Sequence, residues 1–250
     1  MANEKKSNSS IPMIIIVLVL IVGVAVGAYF YNTSKSGNTT PTKTGNNTAV
    51  QKTPAIPTNV PIGSVPPNSS GSPTASVTVE EFADFQCPTC ASTHPEISEI
   101  KAFYGNRIRF IFRNFPLQIP AHDKSYDAAV AAEAAGMQGK FWDMQNLLFA
   151  NQKTWTAAPS YKQIWNEYAQ KLGLDVVKFQ NDIVGIAAKA RVDDDLKRGR
   201  GLNINSTPTI LVNGVSVDAK DFNAISLKTI IDGELQKSAA PSVNTANTNK

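Results

Sequence analysis

Cysteine and histidine are scarce in this chain: two of each in 250 residues. One cysteine pair excludes a multi-disulfide scaffold, and so few ligands exclude several zinc sites. The composition, 42% hydrophobic and 18% charged, also excludes collagen and a wholly disordered chain. Charge of one sign is missing from most of the sequence as well. The formal net charge is +4, but Lys5, Lys6, Lys35, Lys43 and Lys52 face only Glu4 through residue 73. From residue 74 onward 24 − 5 = 19 basic residues meet 20 − 1 = 19 acidic ones. A neutral globular part argues against a nucleic-acid partner.

One long hydrophobic run is present. Met13 to Tyr31 is 19 uncharged, mostly aliphatic residues, which as a helix spans roughly 28 Å against a hydrocarbon core of about 30 Å. Tyr29, Phe30 and Tyr31 gather at one end, as interfacial aromatics do. The expectation is a transmembrane signal anchor at 13–31, with residues 1–12 cytoplasmic and the rest outside the cytosol. The competing reading is a cleaved signal peptide, with Ala25 and Gly27 before a cut at Ala28. No cysteine follows the run closely enough for lipoprotein attachment. Residues 32–73 are rich in Asn, Thr, Ser and Gly with seven prolines, and read as a disordered linker. Asn-x-Ser/Thr triplets start at Asn32, Asn38, Asn46 and Asn68, a weak glycosylation signal in so biased a stretch. Residues 238–250 read as a disordered tail.

The remaining 74–237 form one α/β domain. Ser76–Phe82 alternates as a strand, 88–104 carries a helical pattern ended by Gly105-Asn106, and Arg107–Phe112 is a second strand. An all-helical insert occupies about 121–190. Its segments are the alanine-dense 128–135, Lys140–Phe149, Tyr161–Leu172 and a stretch from Val176 onward. Thr209–Val212 and Val215–Val217 flank Asn213-Gly214, the pair that suits a type I′ hairpin turn. A helix of about 221–236 closes the domain. Trp142, Trp155 and Trp165 read as core packing, and Asp193–Asp195 as a solvated helix face.

Chemistry concentrates at Cys87-Pro88-Thr89-Cys90, between the first strand and the first helix. A disulfide closing so small a ring adds little stability, but it can switch between dithiol and disulfide. Cys87 falls at a helix N-terminus, where free N–H groups and the dipole favour thiolate, and Pro88 is tolerated in a first turn. A structural zinc half-site, completed only by His94 and His122, and an incidental pair are the other readings. No metal and no separate cofactor are expected. His94 reads as a surface or kink residue, and His122 as the start of the insert without chemistry.

These residues resemble the thioredoxin-fold superfamily, in its DsbA-like branch of extracytosolic thiol–disulfide oxidoreductases. Glu81 stands six before Cys87, where the superfamily keeps a buried carboxylate near the second cysteine. The resemblance implies a proton relay to Cys90, against a plain solvent-facing strand residue. Pro95 matches the proline that kinks the active-site helix. Ser206-Thr207-Pro208-Thr209 matches the cis-proline loop, implying that Pro208 is cis and that the Thr207 backbone pairs with an extended substrate. Phe112–Leu117 and Gly139–Trp142 also look like this branch. Thr89 departs from the Cys-Pro-His-Cys of strongly oxidising members, so it supplies no positive charge to the thiolate. The fold expected is a thioredoxin fold with an all-helical insertion. The function expected is oxidation of cysteine pairs in exported proteins, with reoxidation by a quinone-coupled membrane partner. The alternatives are a reductase or isomerase of the same fold, or a tethered binding module without catalysis.

Overall fold

A computed structural model describes residues 56–239. The expected anchor at 13–31, the first part of the linker and most of the tail lie outside the described residues. The strands are β1 (Asn68–Gly71), β2 (Thr78–Ala83), β3 (Arg109–Asn114), β4 (Thr209–Val212) and β5 (Val215–Ser216). The helices are α1 (Pro88–Tyr104), α2 (Ser125–Gly136), α3 (Phe141–Ala150), α4 (Gln152–Ala157), α5 (Tyr161–Lys171), α6 (Val176–Val184), α7 (Ile186–Gly201) and α8 (Ala224–Ala239). The sheet order is β1-β3-β2-β4-β5, with β2 and β3 parallel and the other neighbours antiparallel.

Parallel pairing of β2 and β3 requires a crossover, and α1 supplies it. Val79, Phe110 and Phe112 and the inner faces of α1 and α8 bury one side of the sheet. Tyr104 ties those helices together by donating to Lys228 O at 3.1 Å and Asp232 Oδ1 at 2.8 Å. On the opposite side α7 lies against Phe82 and Phe115. Gly199 permits that approach, because a Cβ there would run into the Phe115 ring. In the hairpin, Asn213 and Gly214 both take positive φ (50° and 82°), as a type I′ turn requires. The insert packs around α2, whose Ala128–Ala135 segment is buried throughout. Trp155 and Trp165 are buried edge to face at 5.5 Å, whereas Trp142 is only half-buried.

Four differences from the sequence reading have physical causes. The linker does not extend to residue 73: Asn68-Ser-Ser-Gly71 is β1, paired with Arg109–Phe112 of β3. Those residues have weak strand propensity, and backbone pairing plus an Asn68 hydrogen bond to Glu133 (2.6 Å) holds them. Helix α4 carries too short an apolar pattern to be read from sequence, and α8 continues to Ala239, two residues into the expected tail. Asp195 is not part of a solvated face. It is fully buried, accepting from Arg113 Nη1 (2.8 Å), Ser64 N (2.9 Å) and Asn114 N (3.1 Å).

Asp195 belongs to an ionic web between the sheet and α7. Glu80 receives Arg113 Nε at 2.7 Å and Arg198 Nε at 2.6 Å, and the two guanidiniums hold its carboxyl below the usual range despite burial. The same arginines donate to the carbonyls of Pro61, Ile62 and Ser64, and Arg191 donates to that of Pro66. Residues 61–66 thereby become a strap across this side of the domain. Removing one partner of a buried ion pair strands the other charge. Asp195→Ala is expected to cost about 3–5 kcal/mol in urea unfolding. The adjacent, half-exposed Asp194, whose one ion pair among the described residues is with Lys197, is expected to change stability by about 0.5 kcal/mol or less on the same substitution.

Candidate active site

Strand β2 ends at Ala83, and Asp84-Phe85-Gln86 carry the chain to α1. Asp84 is completely buried and fixes this turn. Its Oδ1 accepts from Gln86 N (2.7 Å) and Ser125 Oγ (2.5 Å), and its Oδ2 from Leu117 N (2.8 Å) and His122 Nδ1 (2.6 Å). Its carbonyl accepts from Cys87 N at 3.1 Å. Gln86 Oε1 accepts from Lys124 N, and Gln152 Nε2 of α4 donates to the carbonyls of Phe85 (2.7 Å) and Cys87 (2.9 Å). The backbone entering the dithiol is thus held from the insert and from the loop after β3. His122, expected to carry no chemistry, is drawn into this network under the site.

Cys87 is the N-cap of α1, with φ −69° and ψ 119°. Its Sγ accepts from Cys90 N at 3.4 Å and lies 3.3 Å from the Thr207 carbonyl, to which the thiol donates. Both cysteines are free thiols in this structure. The Cys90 thiol facing it lowers the Cys87 pKa most, joined by the nearby Thr207 hydroxyl and the backbone N–H groups of Cys90 and Thr89. Against partial burial, these bring Cys87 down to about 5. Burial, and then the adjacent Cys87 sulfur, push the Cys90 thiol strongly up. Cys87 is therefore the more readily ionised thiol and Cys90 the one that keeps its proton. The thiolate is stabilised without a histidine between the cysteines: Pro88 and Thr89 are both exposed, and what acts is the helix N-terminus and the second thiol.

Glu81 faces the same interior. It is 1% exposed, Oε2 has no hydrogen-bond partner among the described residues, and burial raises its pKa to about 7. The solvent-facing reading of this strand residue is thereby excluded. Its charge also weighs on Cys90. Lys101, three turns along α1, opposes the rise; burial lowers its own pKa to about 8, and its Nζ sits 3.5 Å from the Trp142 ring centroid. The Thr207–Pro208 bond is cis, with Pro208 buried and Thr207 half-exposed beside Cys87. Pro95 lies inside α1. His94 is half-buried, its ring 4.8 Å from Phe149 and its Nε2 2.9 Å from Asn146 Oδ1, so it serves the junction between α1 and α3. No cluster of metal-ligating side chains occurs among the described residues.

Sequence reasoning brought together Cys87, Cys90, Glu81, Thr207 and Pro208, and the fold places all five at one end of the sheet. It missed Asp84, Gln86, Lys101 and Gln152. Asp84 had one visible signal, an acid inside the apolar run Phe82-Ala-Asp-Phe85; Gln152 had none.

Two measurements follow from these electrostatics. The pH dependence of Cys87 alkylation by iodoacetamide is expected to have its midpoint near 5, with Cys90 unreactive through pH 9. For Glu81 the folded pKa lies above its unfolded value. Its contribution to stability is therefore complete below about pH 4.5 and is lost as pH rises through 7. Glu81→Gln is expected to leave stability at pH 4 unchanged and to raise it by about 2–3 kcal/mol at pH 8.

Residues 64–232 match a family model described as thioredoxin. Among solved structures, oxidised BdbD from Bacillus subtilis is 25% identical, with a TM-score of 0.58 over 71% of this chain and 98% of that one. A thioredoxin-like oxidoreductase from Silicibacter pomeroyi has a TM-score of 0.57 at 24% identity, covering 70% and 94%. The alpha-DsbA1 of Wolbachia pipientis shares the fold, with a TM-score of 0.59 at 18% identity over 71% and 95%. A curated relative, Na(+)/H(+) antiporter NhaA 1 of Mycolicibacterium gilvum, is 37% identical over 58% of this chain. The chain spans only 23% of that protein's length, and the antiport in its name belongs to that protein. With a matched family model, a thioredoxin sheet and a polarised dithiol at the start of α1, the chain belongs to the thioredoxin family, as a DsbA-like thiol–disulfide oxidoreductase with Cys87 and Cys90 as its active-site pair.

Proposed function

We propose that this protein is a membrane-tethered oxidase that donates the Cys87–Cys90 disulfide to cysteine pairs of exported proteins. The observation that carries this direction is the depressed pKa of Cys87, about 5. Stabilising the thiolate stabilises the reduced form of the pair, and a stabilised reduced form makes a strong oxidant. A substrate thiolate attacks Cys87 Sγ of the disulfide, the Cys87–Cys90 bond breaks, and Cys90 leaves with the electron pair and takes up a proton. A second substrate thiolate then attacks the substrate sulfur of the mixed disulfide and expels Cys87 as its stabilised thiolate. The substrate loses two electrons and the enzyme dithiol gains them.

Glu81, titrating near 7, supplies that proton to Cys90 and accepts it back on reoxidation. The Thr207 backbone before Pro208 aligns the extended substrate strand against Cys87. The apolar run 13–31 supports the anchor and the extracytosolic setting, and a quinone-coupled membrane protein is the proposed acceptor of the electrons.

Cys87→Ser is expected to abolish oxidation of a reduced test protein, and Cys90→Ala to accumulate a mixed disulfide on Cys87. A reduction potential of the pair near ~−120 mV fits the oxidase, whereas one near ~−270 mV assigns a reductase. Failure to trap any adduct in Cys90→Ala would leave a binding module.

A further inference from the structure

The sheet face turned away from α1 holds a cavity of about 470 Å³ that the redox chemistry does not use. Alternate residues of a strand point to one face, so Arg109, Ile111 and Arg113 of β3 line its floor together. Helix α7 covers the far end of this face through Arg198, and the strap walls the near end through Ile62, Ser64 and Val65. The space is large enough for a small organic ligand.

Most of the charge around the cavity is already matched. Glu80 and Asp195 are paired with Arg113 and Arg198. Arg109 is the exception: its guanidinium makes no hydrogen bond or ion pair among the described residues. Its Nε is buried without a partner. Ser64 is 1% exposed, and its Oγ is likewise buried and unpartnered. Two residues of one cavity thus carry a buried donor without an acceptor, and the charge of the half-exposed Arg109 has no counter-ion among the described residues. Buried donors ordinarily find an acceptor, and a guanidinium is suited to an oxyanion. The remaining lining mixes Thr78 and Asn213 with the apolar Ile56, Pro67 and Ile111, and Ile62 and Val65 are 71% and 66% exposed. We propose that this cavity binds an amphipathic monoanion, a carboxylate or phosphate ester on a short apolar chain. Arg109 and Ser64 hold the oxyanion, and the isoleucine and valine side chains cover the chain.

Such a group has two sources, a free carboxylic acid or an anionic phospholipid, and one experiment separates them. The full-length chain is placed in nanodiscs of neutral phosphatidylcholine, and the Arg109 Nε–H resonance is followed by ¹⁵N NMR. Hexanoate is expected to shift it saturably, while acetate and hexylammonium leave it in place. Arg109→Gln is expected to weaken hexanoate binding at least tenfold, and Ser64→Ala a few-fold, with thiol–disulfide exchange at Cys87 unchanged in both. If nanodiscs containing phosphatidylglycerol shift the resonance without hexanoate, the lipid is a source; if only hexanoate does, the free acid is. No saturable shift by either, an equal response to hexylammonium, or full affinity in Arg109→Gln overturns the proposal. Thermal melts of both variants confirm that they are folded, and Arg109→Lys, which keeps the charge, is expected to recover part of the affinity.

Discussion

The turn from β2 into α1 depends on one buried carboxylate that pairs with no lysine or arginine among the described residues. Asp84 is dry, and two backbone N–H groups, a hydroxyl and an imidazole satisfy its oxygens. Those donors come from the turn itself, the loop after β3 and the first residue of α2. A carboxylate that must collect its hydrogen bonds from three segments fixes their mutual positions, since each missing donor leaves a buried lone pair unpaired. The Asp84 carbonyl also receives Cys87 N. The start of α1, and with it the direction of both thiols, inherits that rigidity.

Once the turn is set, the chemistry is a matter of unequal environments. Cys87 sits at the cap, facing N–H groups and a second thiol; Cys90 is one turn deeper and fully buried. Two identical side chains are thereby pushed in opposite directions. Glu81 extends the gradient, because it lies in the interior without a hydrogen bond on one oxygen and keeps its proton up to near neutrality. Thr89 adds no charge and is not needed for the asymmetry. The half of the sheet occupied by these groups is otherwise aromatic, with Phe85 stacked between Phe112 and Phe149 at 5.7 and 4.8 Å. The low dielectric of that interior strengthens each electrostatic effect.

The two faces of β2 divide the labour of adjacent acids. Glu81 looks into the apolar redox interior, while Glu80, its neighbour in sequence, looks the other way into arginines. Strand alternation makes that separation unavoidable. The arginines that neutralise Glu80 also donate to the carbonyls of the strap, so the chain before β1 is ordered by charge and backbone polarity, with little help from apolar burial.

Local pattern determined a good deal of this protein. Alternation and β-branching marked β2, the Asn-Gly pair marked the hairpin, the boundaries of α1 followed from its pattern and stop signal, and Cys-x-x-Cys at a strand–helix junction located the chemistry. Each of these rests on neighbours a few residues apart. What only the tertiary structure decided rests on partners far away in sequence. Asn68–Gly71 has no strand character until β3 offers its edge, Asp195 is one acid among three until the fold turns it toward Arg113, and Gln152 is an unremarkable amide until α4 places it over Cys87. The same holds for scarcity, since two cysteines are too few to staple a domain. Sequence could say that they were kept for reactivity; burial in the folded chain set the pKa of Cys90, and the donors gathered around its sulfur set that of Cys87.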